Sequence, residues 1–330
     1  MKKINSKAKV LLTILIAMLL FSACTANIGG ENTPAPSATV TPTQSGLIGF
    51  IVFESQKINE YMAMHGFLET AETISKTAKL YRFNTQEEML NQTQKAIDDS
   101  CDGVILDCSI YDYSQAVQIL KDAEVPFVTL FNKSADDNIN VYINNTNHYA
   151  DIALVFAENI KEAGHEKGKI LIYSDKDCTE VLNSFNSELT AYDFPFNTVC
   201  FEKKAEDSTA AKTELQEFLN QNPDVYAIYA TNSSLTRLAM QTVEKAKATE
   251  NIFVIGTSLT DTTIKLFESG LFGLCINPVN ESAVVATHML NDLINGQAVE
   301  DKVLSWHIAF SDTINKYAYI RDSAKELFGG

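Results

Sequence analysis

Histidine, cysteine and arginine are the side chains with the most distinctive chemistry in this chain of 330 residues, and their spacing argues against catalysis. The five histidines, His65, His148, His165, His288 and His307, form no H-x-x-x-H pair, and His165-Glu166 lacks the second ligand a zinc hydrolase needs. No G-x-S-x-G stretch presents a nucleophilic serine, and no P-loop or G-x-G-x-x-G presents backbone amides to a phosphate or dinucleotide. The cysteines show neither C-x-x-C nor Cys/His spacing, so no metal site is expected. These residues describe a protein that is not an enzyme and uses no cofactor, with its histidines at the surface or satisfied in the core. Only Arg82, Arg237 and Arg321 carry guanidinium groups, too few for an arginine-clustered phosphate or carboxylate site.

Charge narrows the partners further. There are 42 acidic and 26 basic residues, a net −16, and residues 1–23 hold Lys2, Lys3, Lys7 and Lys9 but no acid. Without those four lysines, 22 basic residues face the same 42 acidic ones, a net −20. Such a surface repels phosphate backbones and anionic headgroups, which excludes nucleic acid as a partner and membrane binding by charge. A composition of 45% hydrophobic and 21% charged residues is ordinary for a globular chain with room for two modest domains.

Residues 1–9 are basic and residues 10–21 form an apolar run of about a dozen, shorter than the ~20 a helix needs to span a bilayer. That pattern is an export signal. It ends in Leu20-Phe21-Ser22-Ala23-Cys24, which resembles the bacterial lipobox, with Phe21 where leucine is usual. The expectation is a lipoprotein signal peptide over 1–23, a diacylglycerol on Cys24, and a disordered tether over 24–46, whose Pro, Thr, Ser and Gly cannot bury a core. The alternative is an ordinary export signal with an incidental cysteine. Five cysteines then remain, Cys101, Cys108, Cys178, Cys200 and Cys275; the odd number leaves at least one free thiol, and the pairing stays open. Most are expected as small apolar fillers.

The elements that must position any site follow from periodicity. Residues 47–53 are an apolar, β-branched run, and 59–77 place apolar residues at helical spacing. Strands at 79–83, 103–106 and 126–131 then alternate with helices at 86–99 and 113–123. After 141–145 the series restarts, with helices at 146–163, 179–192, 209–220 and 234–247 and strands at 169–173, 198–201, 226–230 and 252–255. A helix at 260–269, a strand at 272–276, a helix at 281–294 and a last strand at 303–308 complete it. Continuous apolar strands separated by helices predict parallel sheets covered on both faces, here two doubly wound α/β lobes. Ligands of open α/β sheets sit outside the carboxyl ends of the strands, which between two lobes is a cleft.

An exported two-lobed α/β body resembles the type I periplasmic binding proteins, specifically the ribose- and galactose-type binders of ABC importers. Six stretches carry the likeness over residues 47–310: Leu47-Ile48-Gly49-Phe50-Ile51-Val52, Gly66-Phe67, Asp102-Gly103-Val104-Ile105-Leu106, Val125-Pro126-Phe127-Val128-Thr129-Leu130, Asn222-Pro223-Asp224-Val225-Tyr226-Ala227 and Val254-Ile255-Gly256-Thr257. The resemblance implies a hinge of three crossovers, near Asn144-Asn145, Asn277-Pro278 and Asp301. The N-lobe would be 47–144 plus 279–300, and the C-lobe 145–277 plus 301–330. It also implies a function: an extracytoplasmic lipoprotein, anchored at the membrane by its lipid, that captures a small polar ligand, a sugar or polyol, for the permease of an ABC importer. The alternative is a ligand-sensing or interaction module for a membrane histidine kinase.

Carrying the family's ligand positions across gives Glu54, Gln56 and Asn59 after the first strand, Asn132 after the fourth, Glu206, Asn232 and Ser258 in the second lobe, and Asn277 at the hinge. The usual acids and arginines are replaced by neutral groups, as at Phe131-Asn132 and Val181, and the usual stacking aromatics are missing at Asn59-Glu60. Tyr61, Phe131, Tyr111 and Tyr113 are the substitutes within reach, while Trp306 is expected to be packed beside the last strand. Glu54, Glu60, Asp107, Asp175 and Glu206 would suit a cationic ligand, or are simply solvated loop carboxylates. Asn132, Asn232 and Asn277 either bind ligand or serve as turn and cap residues.

Overall fold

The computed structural model describes residues 46–54, 57–133, 138–144, 147–204, 206–246, 248 and 251–329. The expected signal, Cys24, Gln56 and all of the tether but Gly46 lie outside the described residues.

In the first lobe β1 (Leu47–Phe53), β2 (Thr77–Phe83), β3 (Gly103–Asp107), β4 (Phe127–Phe131) and β5 (Asn140–Asn144) are joined through α1 (Ile58–Thr73), α2 (Gln86–Asp98) and α3 (Ser114–Asp122). The second lobe follows with α4 (Asn147–Glu162), β6 (Gly168–Ser174), α5 (Thr179–Ala191), β7 (Phe196–Glu202), α6 (Ser208–Gln221), β8 (Val225–Ala230), α7 (Ser233–Lys245), β9 (Phe253–Thr257), the short α8 (Asp261–Lys265) and β10 (Gly273–Ile276). The chain then runs through α9 (Val279–Ile294), β11 (Lys302–Ser305), β12 (His307–Ala309) and α10 (Ile314–Phe328).

The strands form two six-stranded sheets, ordered β11-β5-β4-β3-β1-β2 and β12-β10-β9-β8-β6-β7. Each repeats the doubly wound 2-1-3-4-5 order, and neighbouring strands of the described residues pair in parallel except β10 with β12. The inner strands β1, β3, β6 and β8 are largely apolar because helices cover both faces, whereas the edge strands β2 and β7 also carry polar residues such as Lys79, Arg82, Asn197 and Glu202. In the first lobe Phe50, Ile105 and Leu130 meet Phe67 and Leu290 of α1 and α9, while Ile51, Val104 and Leu106 meet Met89 and Leu120 of α2 and α3. In the second lobe α4 and α5 cover one face and α6 and α7 the other. Gly66 lets α1 and α9 approach backbone to backbone: a Cβ there would stand 2.6 Å from the Asn280 carbonyl oxygen. The Asn280 amide donates to Met62 O at 2.9 Å across the same contact.

Two expectations about the end of the chain need correction. The run 303–308 is not one strand: Val303 pairs with Tyr142 of the first sheet, whereas Ile308 pairs with Cys275 of the second. The last passage between lobes therefore falls at Trp306 instead of near Asp301, and the first lobe keeps residues 302–305. Asp301 itself accepts from the Asn140 backbone and side chain at 2.9 and 3.1 Å, which holds it on the first sheet. The second correction is α10, a helix beyond 303–308, where periodicity placed the last element. Its Ile314 and Ala324 are buried in the core of the second lobe. Its far end reaches the first, with the Phe328 ring 6.0 Å from Tyr61 and beneath the Arg82 guanidinium at 5.5 Å.

Candidate ligand-binding cleft

The carboxyl ends of both sheets face a cavity of about 390 Å³. Lys57, Ile58, Asn59 and Met62 line it from the start of α1, Ser233 from the start of α7, and Ser258, Leu259 and Thr260 from the turn after β9. Ile276, Asn277 and Trp306 close it at two of the crossings. The structure thus brings together Asn59, Ser258 and Asn277 of the predicted residues. A second cavity of about 460 Å³ shares Ile58, Leu259 and Thr260 with the first and is walled by Tyr61, Asp261, Arg321 and Lys325. A groove of about 470 Å³ lined by α6 and α7 alone is remote from these strand ends.

Asn277 carries the clearest signal. Its side-chain oxygen is buried and has no hydrogen-bond partner among the described residues. A buried acceptor left unpaired costs about 1–3 kcal/mol, which a ligand hydroxyl would recover. Ser258 adds a second signal. Its φ of +78° lies in the left-handed region, disfavoured by about 1–2 kcal/mol for a residue with a Cβ. Phe131, the last residue of β4 in the first sheet, has φ +79°. Ser258 is held there because its N–H donates to Cys275 O at 3.2 Å and its carbonyl accepts from the Thr263 hydroxyl at 2.7 Å. Backbone strain of this kind persists only where neighbours over-determine it, and it concentrates at binding sites.

The other predicted residues are engaged elsewhere. Glu54 accepts from Arg82 at 2.7 Å, and Glu206 is exposed on the turn before α6. Asn132 donates to Cys108 O at 2.6 Å, tying the ends of β3 and β4. Asn232 is the N-cap of α7: its side-chain oxygen accepts from Leu235 N at 3.0 Å while its amide donates to Asp175 at 3.0 Å. Asn132 and Asn232 therefore do the turn and cap work that strand ends ask of asparagine. Asn232→Ala is expected to lower stability by about 1 kcal/mol through loss of the cap, measured as a fall in the urea midpoint; an unchanged midpoint would leave the cap without energetic weight.

Among the acids, Asp107 is 3% exposed, and burial raises its pKa against the opposing hydrogen bonds from Ser109 and Phe53. Both of its oxygens are occupied by those backbone N–H groups, at 2.9 and 3.1 Å. Asp107 is thus structural, which weakens the case for a cationic ligand. Cys101, Cys108 and Cys275 are buried free thiols whose pKa values burial raises, as expected of apolar fillers, whereas Cys178 and Cys200 form a disulfide. Among the described residues no group of three or more His, Cys, Asp and Glu side chains gathers to hold a metal, and no helix is long and apolar enough to cross a membrane.

Residues 48–298 match the sequence profile of the periplasmic binding protein domain. The chain belongs to the periplasmic binding protein family. No curated protein sequence matches it. Among solved structures it is similar to a sugar-binding protein of a sugar ABC transporter from Bacillus halodurans, with a TM-score of 0.63 and 16% identity over 82% of this chain and 99% of that one. AraP, an arabinose binding protein from Geobacillus stearothermophilus, gives 0.63 and 17% over 83% and 99%. An ABC transporter solute binding protein from Actinobacillus succinogenes with bound D-allose gives 0.58 and 16% over 82% and 100%. At these identities the likeness is one of fold. This periplasmic binding protein has the type I arrangement, two doubly wound lobes with the cavity at their facing strand ends. Its α10 lies beyond the matched residues. Family positions did not point to the cavity residues Lys57, Ile58, Met62, Leu259, Thr260, Ile276 and Trp306.

Proposed function

We propose that this protein is an extracytoplasmic solute-binding lipoprotein that captures a monosaccharide or related neutral polyol between its lobes and presents it to the permease of an ABC importer. The observation that carries the reading is the buried, unpartnered side-chain oxygen of Asn277 in the wall of the interlobe cavity. Around it Asn59, Ser233, Ser258 and Thr260 offer amide and hydroxyl groups suited to ligand hydroxyls, with the Lys57 ammonium as the one charged group of the lining and a further hydrogen-bond donor. A volume of about 390 Å³ falls in the range of small-molecule pockets. That the similar structures include a sugar-binding protein, an arabinose binding protein and a solute binding protein holding D-allose supports this class. Closure would follow from differential affinity: a ligand touching both walls stabilises the conformation that brings them together.

Anchoring rests on Cys24 and the sequence before it, with the acidic body held away from the bilayer by the tether. A disulfide in the second lobe accords with export, since such bonds persist in oxidising compartments. Thermal unfolding in the presence of D-glucose, D-galactose, D-ribose, L-arabinose, D-xylose and D-allose tests the proposal. A ligand at one hundred times its Kd adds about 2.7 kcal/mol, so at least one sugar is expected to raise Tm by several degrees. No shift with any of them, alongside a shift with an amine or amino acid, would overturn the assignment of ligand class.

A further inference from the structure

We infer that α10 is a strap that holds the two lobes closed over the cavity, and that the cavity opens only when Phe328, at the far end of the strap, leaves the first lobe. The helix presents one stripe at helical spacing: Ile314, Tyr317, Ile320, Ala324 and Phe328. The residues from Ile314 to Ala324 pack in the core of the second lobe, whereas Phe328 packs against the core of the first. One helix therefore serves both lobes, and the change of lobe falls within its last turn. Phe328 is gripped from two sides: its ring lies 6.0 Å from that of Tyr61 on α1, and the Arg82 guanidinium of β2 stands over it at 5.5 Å. Glu54 keeps that guanidinium in place by accepting from it at 2.7 Å.

The attachment to the second lobe is the firmer one. Besides the apolar stripe, the buried Arg321 donates from Nη2 to Asp261 at 2.8 Å, and Lys325 lies 3.6 Å from the other oxygen of the same carboxylate. Asp261 follows Thr260 in the turn that forms one wall of the cavity, and Tyr61 lies on α1 between Asn59 and Met62 of the opposite wall. Thus α10 joins the two walls directly, on a path separate from the chain's own crossings, and the second cavity is enclosed by the same four side chains, Tyr61, Asp261, Arg321 and Lys325. The first lobe, in contrast, is held by a single ring at the end of a helix, where helices fray first. Rotation of the lobes must part Phe328 from Tyr61 and Arg82 before it disturbs the buried stripe, so the strap releases at this end. An aromatic pair and a cation–π contact together favour the closed form by about tenfold.

The inference concerns the ligand-free chain and holds whatever the cavity binds. Small-angle scattering and acrylamide quenching of the purified full chain test it. Trp306 lines the cavity and is the chain's one tryptophan, so acrylamide, a small uncharged quencher, reads how often the cavity opens. Phe328→Ala should raise the ratio of open to closed forms about tenfold, seen as a larger radius of gyration and a larger quenching constant than wild type. Leu327→Ala, at an exposed neighbour on the same turn, should change neither. Arg82→Gln keeps the ring and removes the cation above it, so both readouts should move in the same direction by less; this variant decides the matter if Phe328→Ala fails to fold. Wild-type values of both readouts in Phe328→Ala, or in Arg82→Gln where that is the variant that folds, would overturn the strap and leave the proposed function standing.

Discussion

Replacing Gly256 by valine should destabilise the second lobe by about 3 kcal/mol and lower Tm by roughly 6–10 °C. Gly256 lies in β9, where a Cβ would fall 2.2 Å from Cγ2 and 2.6 Å from Oγ1 of Thr236 in α7. Thr236 is fully buried, and its side chain is too short to swing aside. It is also employed: its hydroxyl accepts from Thr257 N at 3.2 Å and donates to Asn232 O at 2.8 Å. Forcing α7 off β9 therefore disturbs Thr257 and, next in the chain, the strained Ser258 of the cavity wall. Sugar affinity should fall together with stability. Gly256→Val combined with Thr236→Ala, which vacates the clashing atoms, should recover a part of the lost Tm. Equal Tm for Gly256→Val and wild type in calorimetric scans would mean that β9 and α7 are not packed this closely.

Removing the Cys178–Cys200 disulfide should cost about 3 kcal/mol, since the bond closes a loop spanning a sequence separation of 22. Cys178 precedes α5, and Cys200 lies in β7, so the bond fixes the turn after β6 to the edge strand. That turn carries Asp175, the partner of the Asn232 amide, and Asp177, whose carboxylate accepts from the backbone and side chain of Thr179 at 3.0 and 2.7 Å. The double variant Cys178→Ala/Cys200→Ala should show a lower guanidinium midpoint than wild type, and adding a reductant to wild type should reproduce much of the loss. Backbone amides of residues 175–178 should exchange faster in both cases. Identical midpoints with and without reductant would contradict the bond's role.

Much of the architecture is legible in the residues. The runs at Leu47–Phe53, Gly103–Asp107 and Val225–Ala230 are apolar on successive positions, which only a sheet buried on both faces explains, and the helices between them carry their apolar residues at helical spacing. The ends of the chain resist such reading. Residues 303–308 hold no glycine or proline, and nothing local tells a four-residue strand from a three-residue one that joins the other sheet; pairing with Tyr142 and with Cys275 decides it. In α10 the helical spacing of Ile314, Tyr317, Ile320 and Ala324 is present in the sequence, but its partners, Tyr61 of one lobe and the buried core of the other, are remote in the chain.

The site divides in the same way. Asn59, Ser258 and Asn277 were reachable by position because the strand ends that carry them are fixed by the fold. Asn132 and Asn232 were reachable too, yet asparagine at a strand end serves equally as a tie or a cap, and which use it takes depends on whether Cys108 O or Leu235 N stands within 3.0 Å. Trp306 escaped because its exposure to the cavity depends on where the last passage falls. The pairing of Cys178 with Cys200 escaped because connectivity among five cysteines is a tertiary fact.

In the proposed function the interlobe cavity binds a sugar through Asn277. Isothermal titration of wild type and Asn277→Ala against the same set of sugars tests it most directly. We expect a saturable one-to-one heat with at least one sugar in wild type, weakened about tenfold to hundredfold in Asn277→Ala by loss of a buried hydrogen bond. No heat with any sugar, or equal affinity in the two proteins, would contradict it.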